Sequence, residues 1–417
     1  MRELLRFILC LSGSLIAIGP TASVASPGEP PQRAISRVNR ALAGADLGTL
    51  IEMRNGQDSV ARILAGIAIE RVHFNLDKSS ADAKACEAQL HDTLPNIAFY
   101  CARFVSSNLR LAGRTREASL EEIDVVRRYQ GLVPASLLDN FDFKQAPAFA
   151  ALPDTKVILP TEPSSIPVKK SQSRNTTVEV TINGKAVTLK VDTGAPTILG
   201  AETAGRLGVR IVLQKDGVIR GALGKESVKQ LGILDRLSFG GVTMENLPVA
   251  VIPEEHNALG MDVLKRLGAF ELTQTSLVIY GTGRQQPVCN EPLLVSSTFV
   301  GATPAVVHAI KVNGVSFNAL MDSGSDFYLT QMVRGDATDH ASTEALAIKD
   351  VNQSGQSVQS ERITANVELG GVPRTATFTS LRGTAVPYDY ILGNGAFKDV
   401  SLFVDFDHRR SCLIPVP

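Results

Sequence analysis

Two short motifs, each built around an aspartate, occur in the C-terminal half of the chain. D-T-G-A starts at Asp192, and D-S-G-S starts at Asp322. In both, a hydroxyl side chain that can donate a hydrogen bond follows the acid, and the next residue is a glycine that lets backbone approach closely. Two carboxylates brought together can share one proton and activate water, which suits hydrolysis. The residues expected to shape the two loops are Thr193, Gly194, Ser323 and Gly324.

A single motif of this kind is usually a surface turn or a helix cap, so the interpretation depends on the pairing. An Asn-Gly turn precedes each motif and a Gly-Gly turn follows it, and all three landmarks recur after 130 residues. The hydrophobic-hydrophobic-Gly segment Ala258-Leu259-Gly260 recurs as Ile391-Leu392-Gly393 after 133 residues. Asn-Gly between apolar runs is a strong hairpin signal. The repeat therefore predicts a duplicated β domain in which one strand of each half ends at an aspartate.

Such a duplication would bring Asp192 and Asp322 face to face across a pseudo-twofold axis. Two carboxylates about 3 Å apart repel by roughly 5 kcal/mol at an effective dielectric constant near 20. We therefore expect the pair to hold one proton over a wide pH range, with pKa values that belong to the pair. The ionised acid can take a proton from water while the protonated acid polarises a carbonyl group. The sequence does not assign these two roles.

Each half of the repeat resembles a retropepsin-like aspartic peptidase domain of the bacterial type, and the two halves in one chain resemble the pepsin-like arrangement. The resemblance covers roughly Arg174 to Pro417 and rests on the landmarks above. It implies a mostly β, bilobal acid-protease fold with two closed lobes of six or so strands each. It also implies that Asp192 and Asp322 are catalytic and that the hydroxyls beside them tie the loops together. The implied activity is endopeptidase cleavage of a polypeptide without cofactor or metal.

The same resemblance places a substrate-covering flap in the first half, at Gly221, Ala222, Leu223 and Gly224. An ordinary hairpin turn is the alternative for this segment. The second half offers only Ser354-Gly355-Gln356, which fits an enzyme with a single flap. Asp262 is interpreted as a helix-start residue. Asp326 adds a third carboxylate near the second motif; pointing inward it would raise the pKa values of the pair, and pointing outward it is a loop residue.

The N-terminus has the features of a secretory signal peptide. Arg2 and Arg6 precede an apolar run from Phe7 to Ile18, and the small residues Ser23 to Ala25 follow. A charged start, a short apolar segment and a small-residue cleavage site are typical of such signals. We expect cleavage near Ala25 and export to the periplasm or the medium. An uncleaved anchor is the alternative.

Cysteine usage is consistent with export. Cys10 lies within the predicted signal peptide, which leaves four of the five cysteines in the mature chain. Four cysteines allow three pairings. We favour Cys86–Cys101 and Cys289–Cys412, because each pair then stays inside one folding unit. Free, buried thiols are the alternative.

The region from residue 30 to 145 is predicted to be helical, because apolar residues recur three and four apart in it. Ser79 or Ser80 could cap one of these helices. Leu111-Ala112-Gly113-Arg114 loosely resembles the turn of a tetratricopeptide-type repeat, and a generic helical-hairpin stack is equally compatible. Residues 146–173, with five prolines between Pro147 and Pro167, are predicted to be an extended linker. Lobe 1 would then span 174–283 and lobe 2 would span 284–417.

Charge and motif content exclude several other classes of protein. The 42 basic residues balance the 42 acidic ones, so a nucleic-acid footprint is not expected. Zinc-protease, nucleophile-elbow and P-loop motifs are absent from the sequence. We expect a monomer that acts on polypeptide, with a possible protein partner at the helical domain. The alternative function is a catalytically silent peptide-binding protein on the same fold, which Asp326 and the flap leave open.

Overall fold

The fold is taken from a computed structural model. It describes residues 31–139, 143–170, 176–220, 226–281, 286–299, 301, 304–334, 360–384 and 386–416. The predicted signal peptide with Cys10, the predicted flap tip at Gly221–Gly224 and Ser354–Gln356 lie outside the described residues. In the described part of the chain, no helix is both long enough and apolar enough to cross a membrane.

The N-terminal part is helical, as predicted. Its helices are α1 Pro31–Ala43, α2 Leu47–Asn55, α3 Ser59–Val72, α4 Leu76–Leu90, α5 Pro95–Leu111, α6 Thr115–Tyr129, α7 Ala135–Asp139 and α8 Ala146–Ala150. The Asp58 side chain caps α3 by accepting a hydrogen bond of 2.7 Å from the backbone N–H of Ala61. The predicted caps Ser79 and Ser80 are wrong, because both lie inside α4. Ser79 is buried there and donates to the carbonyl of Ile67 at 3.0 Å.

The remainder is mostly β. The first half contains β1 Lys156–Ile158, β2 Ser164–Pro167, β3 Lys169–Lys170, β4 Thr176–Ile182, β5 Lys185–Asp192, β6 Ile198–Gly200, β7 Arg210–Arg220, β8 Glu226–Phe239, β9 Val242–Ile252, β10 Ala258–Gly260, β11 Ala269–Leu272 and β12 Ser276–Ile279, with helices α9 Ala201–Leu207 and α10 Met261–Leu264. The second half contains β13 Leu294–Ser296, β14 Ala305–Val312, β15 Val315–Asp322, β16 Leu329–Arg334, β17 Ser360–Leu369, β18 Val372–Thr384, β19 Tyr390–Gly393, β20 Val400–Asp405 and β21 Arg410–Pro415.

The strands close into two rings with identical connectivity. In lobe 1 the order is β4-β5-β10-β6-β9-β8 and back to β4. In lobe 2 the order is β14-β15-β19-β16-β18-β17 and back to β14. Each ring has six strands, so the predicted bilobal fold with a duplicated β domain is confirmed.

A separate five-stranded sheet joins the lobes in the order β2-β12-β11-β20-β21. Its centre pairs a strand from each half, with Ala269 opposite Asp405 and Leu272 opposite Leu402. One continuous hydrophobic core extends from lobe 1 through this sheet into lobe 2. The lobes are thus fixed to each other below the site that they share.

The Pro-rich segment 146–173, which was predicted to be an extended linker, forms secondary structure of its own. It starts with the short helix α8 and then contributes strands to two sheets: β1 pairs with β9, and β2 pairs with β12. Proline tolerates such positions because edge strands leave one row of backbone N–H groups unpaired. Within this segment the chain changes from helix to strand, and its strands pair with residues about a hundred positions away.

The helical domain contacts both lobes. Arg71 of α3 is fully buried and donates 2.8 Å to the carbonyl of Thr298 in the second half. Lys265, which follows α10, donates 2.7 Å to the carbonyl of Leu111 at the end of α5. Both predicted disulfides are present, Cys86–Cys101 between α4 and α5 and Cys289–Cys412 within the second half. The helical domain is therefore an integral part of the fold.

Candidate active site

Two hairpins deliver the aspartates to the boundary between the lobes. The Asn-Gly turns have positive φ at both central residues, 49° and 81° at Asn183 and Gly184, and 50° and 81° at Asn313 and Gly314. This is the turn geometry that matches the twist of two antiparallel strands. The strand after each turn, β5 or β15, ends at its aspartate. Asp192 is paired in parallel register with Gly260, and Asp322 is paired with Gly393.

The hydroxyls that follow the aspartates form a symmetric set of hydrogen bonds between the lobes. The Thr193 hydroxyl donates to the Met321 carbonyl at 2.7 Å and accepts from the Ser323 N–H at 2.9 Å. The Ser323 hydroxyl donates to the Val191 carbonyl at 2.8 Å and accepts from the Thr193 N–H at 3.1 Å. Both side chains are buried, with exposures of 1% and 0%. Each loop is therefore held by the other.

The two glycines explain why the motif tolerates no side chain at this position. A methyl group at Gly194 would lie 2.7 Å from Cγ of Asp322, and one at Gly324 would lie 2.5 Å from Cγ of Asp192. Each carboxyl group thus rests against the glycine of the opposite loop. Each also accepts a hydrogen bond from its own loop, Asp192 from the Gly194 N–H at 3.1 Å and Asp322 from the Gly324 N–H at 2.8 Å. The predicted aspartates and their loop residues Thr193, Gly194, Ser323 and Gly324 therefore lie together, while the predicted flap lies outside the described residues.

The electrostatics of the pair are those expected of carboxyl groups that share a proton. Burial raises the pKa of Asp322 to about 7, the negative charge of Asp192 adds to this, and the two carboxyls are hydrogen-bonded to each other. The nearby Lys190 ammonium group and the Gly324 N–H oppose the shift. Asp322 consequently holds its proton up to neutral pH.

Two basic side chains that sequence reasoning missed lie beside the pair on the lobe 1 side. Nζ of Lys190 is 4.0 Å from Oδ2 of Asp192. His256 precedes β10; burial and the Lys190 charge lower its pKa, and the Asp192 charge opposes this. The strand pattern could have revealed Lys190: residues two apart in a strand share a face, so Lys190 lies on the face of Asp192. No sequence pattern marks His256, because only tertiary structure brings it close to Lys190 and Asp192.

The corresponding wall of lobe 2 is apolar. Leu320 occupies the position two residues before Asp322 and packs in a small cluster with Met332, Leu381 and Ile391. Tyr388 borders this cluster, and its hydroxyl shares a 2.9 Å hydrogen bond with Ser296. Burial raises the pKa of Tyr388 despite the hydrogen bond with Ser296, and the Asp322 charge adds to the rise, which places this ring close to the pair. Neither Leu320 nor Tyr388 was among the residues predicted from sequence.

Two other acids, Asp262 and Asp326, lie near the motifs in sequence or in space, and neither belongs to the carboxyl pair. Asp262 lies in the first turn of α10, as predicted, and its Oδ1 accepts hydrogen bonds of 2.7 Å from the N–H and from the hydroxyl of Thr197. These bonds hold the loop that follows D-T-G-A. Asp326 is exposed, which agrees with a loop residue and not with a third acid inside the site. Among the described residues, no group of three or more His, Cys, Asp and Glu side chains could hold a metal ion.

Comparison with known proteins supports the same interpretation. Residues 178–263, from β4 into α10, match the family model described as aspartyl protease. The predicted resemblance to this family is confirmed: the core of lobe 1 matches the aspartyl protease model, and lobe 2 repeats its ring of strands. Among curated proteins, none matches the chain.

Several solved structures are also similar to the chain. A retropepsin-like aspartic protease from Rickettsia conorii is 23% identical over 27% of this chain and 97% of its own, with a TM-score of 0.24. An aspartic proteinase from Irpex lacteus is 14% identical over 61% of this chain and 97% of its own, with a TM-score of 0.39.

Proposed function

We propose that the protein is an aspartic endopeptidase whose catalytic residues are Asp192 and Asp322. The observation that supports this most directly is the mutual arrangement of the two carboxyl groups, each resting against the glycine of the other lobe's loop. Four hydrogen bonds through Thr193 and Ser323 hold this arrangement. A family match over lobe 1 points to the same class of enzyme.

The surroundings favour a division of labour between the acids. The ammonium group of Lys190 lies beside Asp192 and favours its ionised form. Asp322, with a pKa of about 7, then holds the shared proton. We assign Asp192 as the general base and Asp322 as the general acid.

In the proposed reaction, Asp192 removes a proton from a water molecule while the water oxygen bonds to the carbonyl carbon of the peptide. Asp322 gives its proton to the carbonyl oxygen, which yields a tetrahedral diol and reverses the protonation of the pair. Collapse of the diol breaks the C–N bond: the amine nitrogen takes the proton from Asp192, and a hydroxyl proton returns to Asp322. The pair ends as it began, and one water molecule has been consumed.

We further propose that the protein acts outside the cytoplasm as a monomer on polypeptide substrates. The predicted signal peptide supports export, and so do two disulfides in one chain, because such bonds persist in oxidising compartments. The helical domain contacts both lobes through buried hydrogen bonds from Arg71 and Lys265. We propose that it remains attached in the active enzyme and is not a removable pro-region. We also propose that a protein partner binds at its outer surface.

Purified mature protein incubated with an unfolded polypeptide between pH 4 and 7 tests the function. The wild type should cut it, and Asp192→Asn and Asp322→Asn should each lower kcat by about 10³-fold or more, since both acids take part in proton transfer. Asp326→Asn, a matched change at an exposed acid, should retain activity. Folded wild-type protein that binds peptides without cutting them would instead favour the silent peptide-binding function. Unchanged cleavage by the Asp192→Asn enzyme would reject the proposed mechanism.

A further inference from the structure

The two walls that flank the carboxyl pair differ in charge. We call Lys190 and His256 the basic wall, and Leu320, Met332, Leu381 and Ile391 the apolar wall. Lys190 and Leu320 occupy equivalent places: Lys190 pairs with Ala258 of β10, and Leu320 pairs with Ile391 of β19. Both stand two residues before an aspartate and on the same strand face as that aspartate. The duplicated frame therefore presents an ammonium group on one side of the cleft and a branched alkyl group on the other.

The ammonium group of Lys190 is not held by a hydrogen bond within the described part of the fold. Within the described part of the chain, Nζ of Lys190 makes no hydrogen bond, and its one ion pair is the 4.0 Å contact with Asp192. That distance is longer than a direct hydrogen bond. In the loop that carries His256, the acid Glu255 is engaged elsewhere: it accepts from the N–H of Glu202 at 2.9 Å and from the hydroxyl of Thr203 at 3.0 Å. A charged side chain that lies partly buried without a donor–acceptor partner favours an anionic ligand.

The space beside Lys190 is bordered by small side chains. Ala258 lies opposite it on β10 and Thr177 lies opposite it on β4, both in register. In lobe 2 the equivalent of Ala258 is the larger Ile391, which is packed against Leu320. The side chain paired with Lys190 is thus smaller than the one paired with Leu320, whose cluster is nearly buried, with exposures of 5% to 7%.

We infer that the cleft selects peptides with an acidic side chain on one side of the scissile bond, against Lys190, and an apolar side chain on the other, against the apolar wall. This inference rests on the proposed function, because it names the substrate class of the same site. His256 has a lowered pKa, so it is neutral at neutral pH and can offer a hydrogen bond there while Lys190 supplies the charge. Because the 4.0 Å contact with Asp192 is longer than a direct hydrogen bond, the N–H donors of Lys190 can take a second, anionic partner.

The test uses quenched fluorescent peptides of constant sequence in which each residue flanking the cut is varied in turn among Glu, Gln, Leu and Lys. The wild type should prefer Glu to Gln at one flank by about tenfold in kcat/KM, the usual worth of a charge-assisted hydrogen bond. It should prefer Leu at the other flank. Lys190→Leu should abolish the preference for Glu and keep the preference for Leu, while Lys190→Arg should retain both. Lys311→Leu removes an exposed lysine on β14 and serves as the matched control.

Binding of the same peptides to Asp322→Asn, measured by fluorescence anisotropy, separates this inference from the proposed function. If the wild type cuts no peptide, the enzyme assignment fails. The inference then stands if Glu peptides bind more tightly than Gln peptides and Lys190→Leu removes that difference. Equal treatment of Glu and Gln by the wild type in both assays overturns it. A Lys190→Leu protein that keeps the full preference for Glu overturns it as well.

Discussion

Lobe 1 and lobe 2 share the same backbone arrangement, but they differ in the side chains beside the carboxyl pair. Both close six strands into the same ring, both end a strand at an aspartate, and both hold the opposite loop through a hydroxyl. The side chain two residues earlier breaks the symmetry: it is Lys190 in one lobe and Leu320 in the other. The difference shows which parts of a duplicated site are constrained by geometry and which are free to diverge. Proton sharing requires the symmetric parts, whereas division of roles and selection of substrate require asymmetric ones.

The attachment of the helical domain also differs between the lobes. Lobe 2 is contacted beside the apolar wall, because Ser296 donates to the Ala43 carbonyl at 2.5 Å and also bonds to Tyr388, which borders that wall. In lobe 1 the contacts with the helical domain lie farther along the chain from the motif. Lys265 and Arg266 donate to the carbonyls of Leu111 and Gly113, at and just after the end of α5. The helical domain therefore supports the apolar wall directly and the basic wall only through the body of lobe 1.

The symmetric glycines should give the largest effects. Gly194→Ala and Gly324→Ala should each lower kcat/KM by about 10³-fold, because a methyl group at either site displaces the opposite carboxyl group and small displacements of reacting groups are costly. Steady-state kinetics on both variants checks this, with circular dichroism to confirm folding. Gly205→Ala on α9 is the control: its methyl group would meet no atom within 4 Å, and activity should not change. A large loss in only one lobe would contradict the symmetry of the frame.

The hydroxyl pair should come next. Thr193→Val or Ser323→Ala removes two hydrogen bonds and leaves a carbonyl and an N–H buried without partners, which should cost about 3 kcal/mol of unfolding free energy. Because the two residues form one network, the double variant should cost less than the sum of the single ones. Urea denaturation of the four proteins measures both quantities. Thr188→Val, an exposed change on β5, is the control. Strict additivity would show that the loops are held independently.

The frame could be predicted from the sequence because its signals are local. Asn183-Gly184 and Asn313-Gly314 fix hairpins through their own φ angles, and D-[ST]-G places acid, hydroxyl and glycine within three residues. Cysteine pairing also followed from proximity within a folding unit. The repeat also predicts one long-range arrangement, in which the two loops face each other.

The lining of the cleft could not be predicted in the same way. His256 and Tyr388 lie beside the pair only because the parallel strands β10 and β19 bring their preceding segments back to β5 and β15. The strand pairing of segment 146–173 could not be predicted for a related reason: proline content shows that a helix ends, but it does not show that the extended chain pairs with β9 and β12. The strand pattern places Lys190 on the same face as Asp192, but only the fold shows which strand face borders a cleft.

Asp322→Asn should stabilise the protein while it abolishes catalysis. The pKa of Asp322 is raised from 3.8 to about 7 in the folded state. The folded state thus holds the proton more tightly, and unfolding free energy falls as pH rises from about 4 to 7. The amide should therefore add about 2 kcal/mol above pH 7, half of what the whole displacement would give, because the carboxyl is partly exposed to the cleft. Thermal unfolding at pH 4 and pH 8 checks this, and a gain that is equal at both would contradict the assignment of the proton to Asp322.

The smallest expected effect is a change in the pH profile of Lys190→Leu. This variant makes the basic wall resemble the apolar wall, so it tests the difference between the lobes most directly. Among the described residues, the titratable groups whose charges act on Lys190 or the pair include His256 and Tyr388. The ammonium charge of Lys190 lowers the pKa of Asp322. Its removal should move the alkaline limb of kcat/KM, set near pH 7 by loss of the shared proton, to higher pH. Lys190→Arg should leave the limb in place, because the charge remains. A limb that does not move in Lys190→Leu would mean that the ammonium group is too well screened by water to act on the pair, and the two acids would then be distinguished by burial alone.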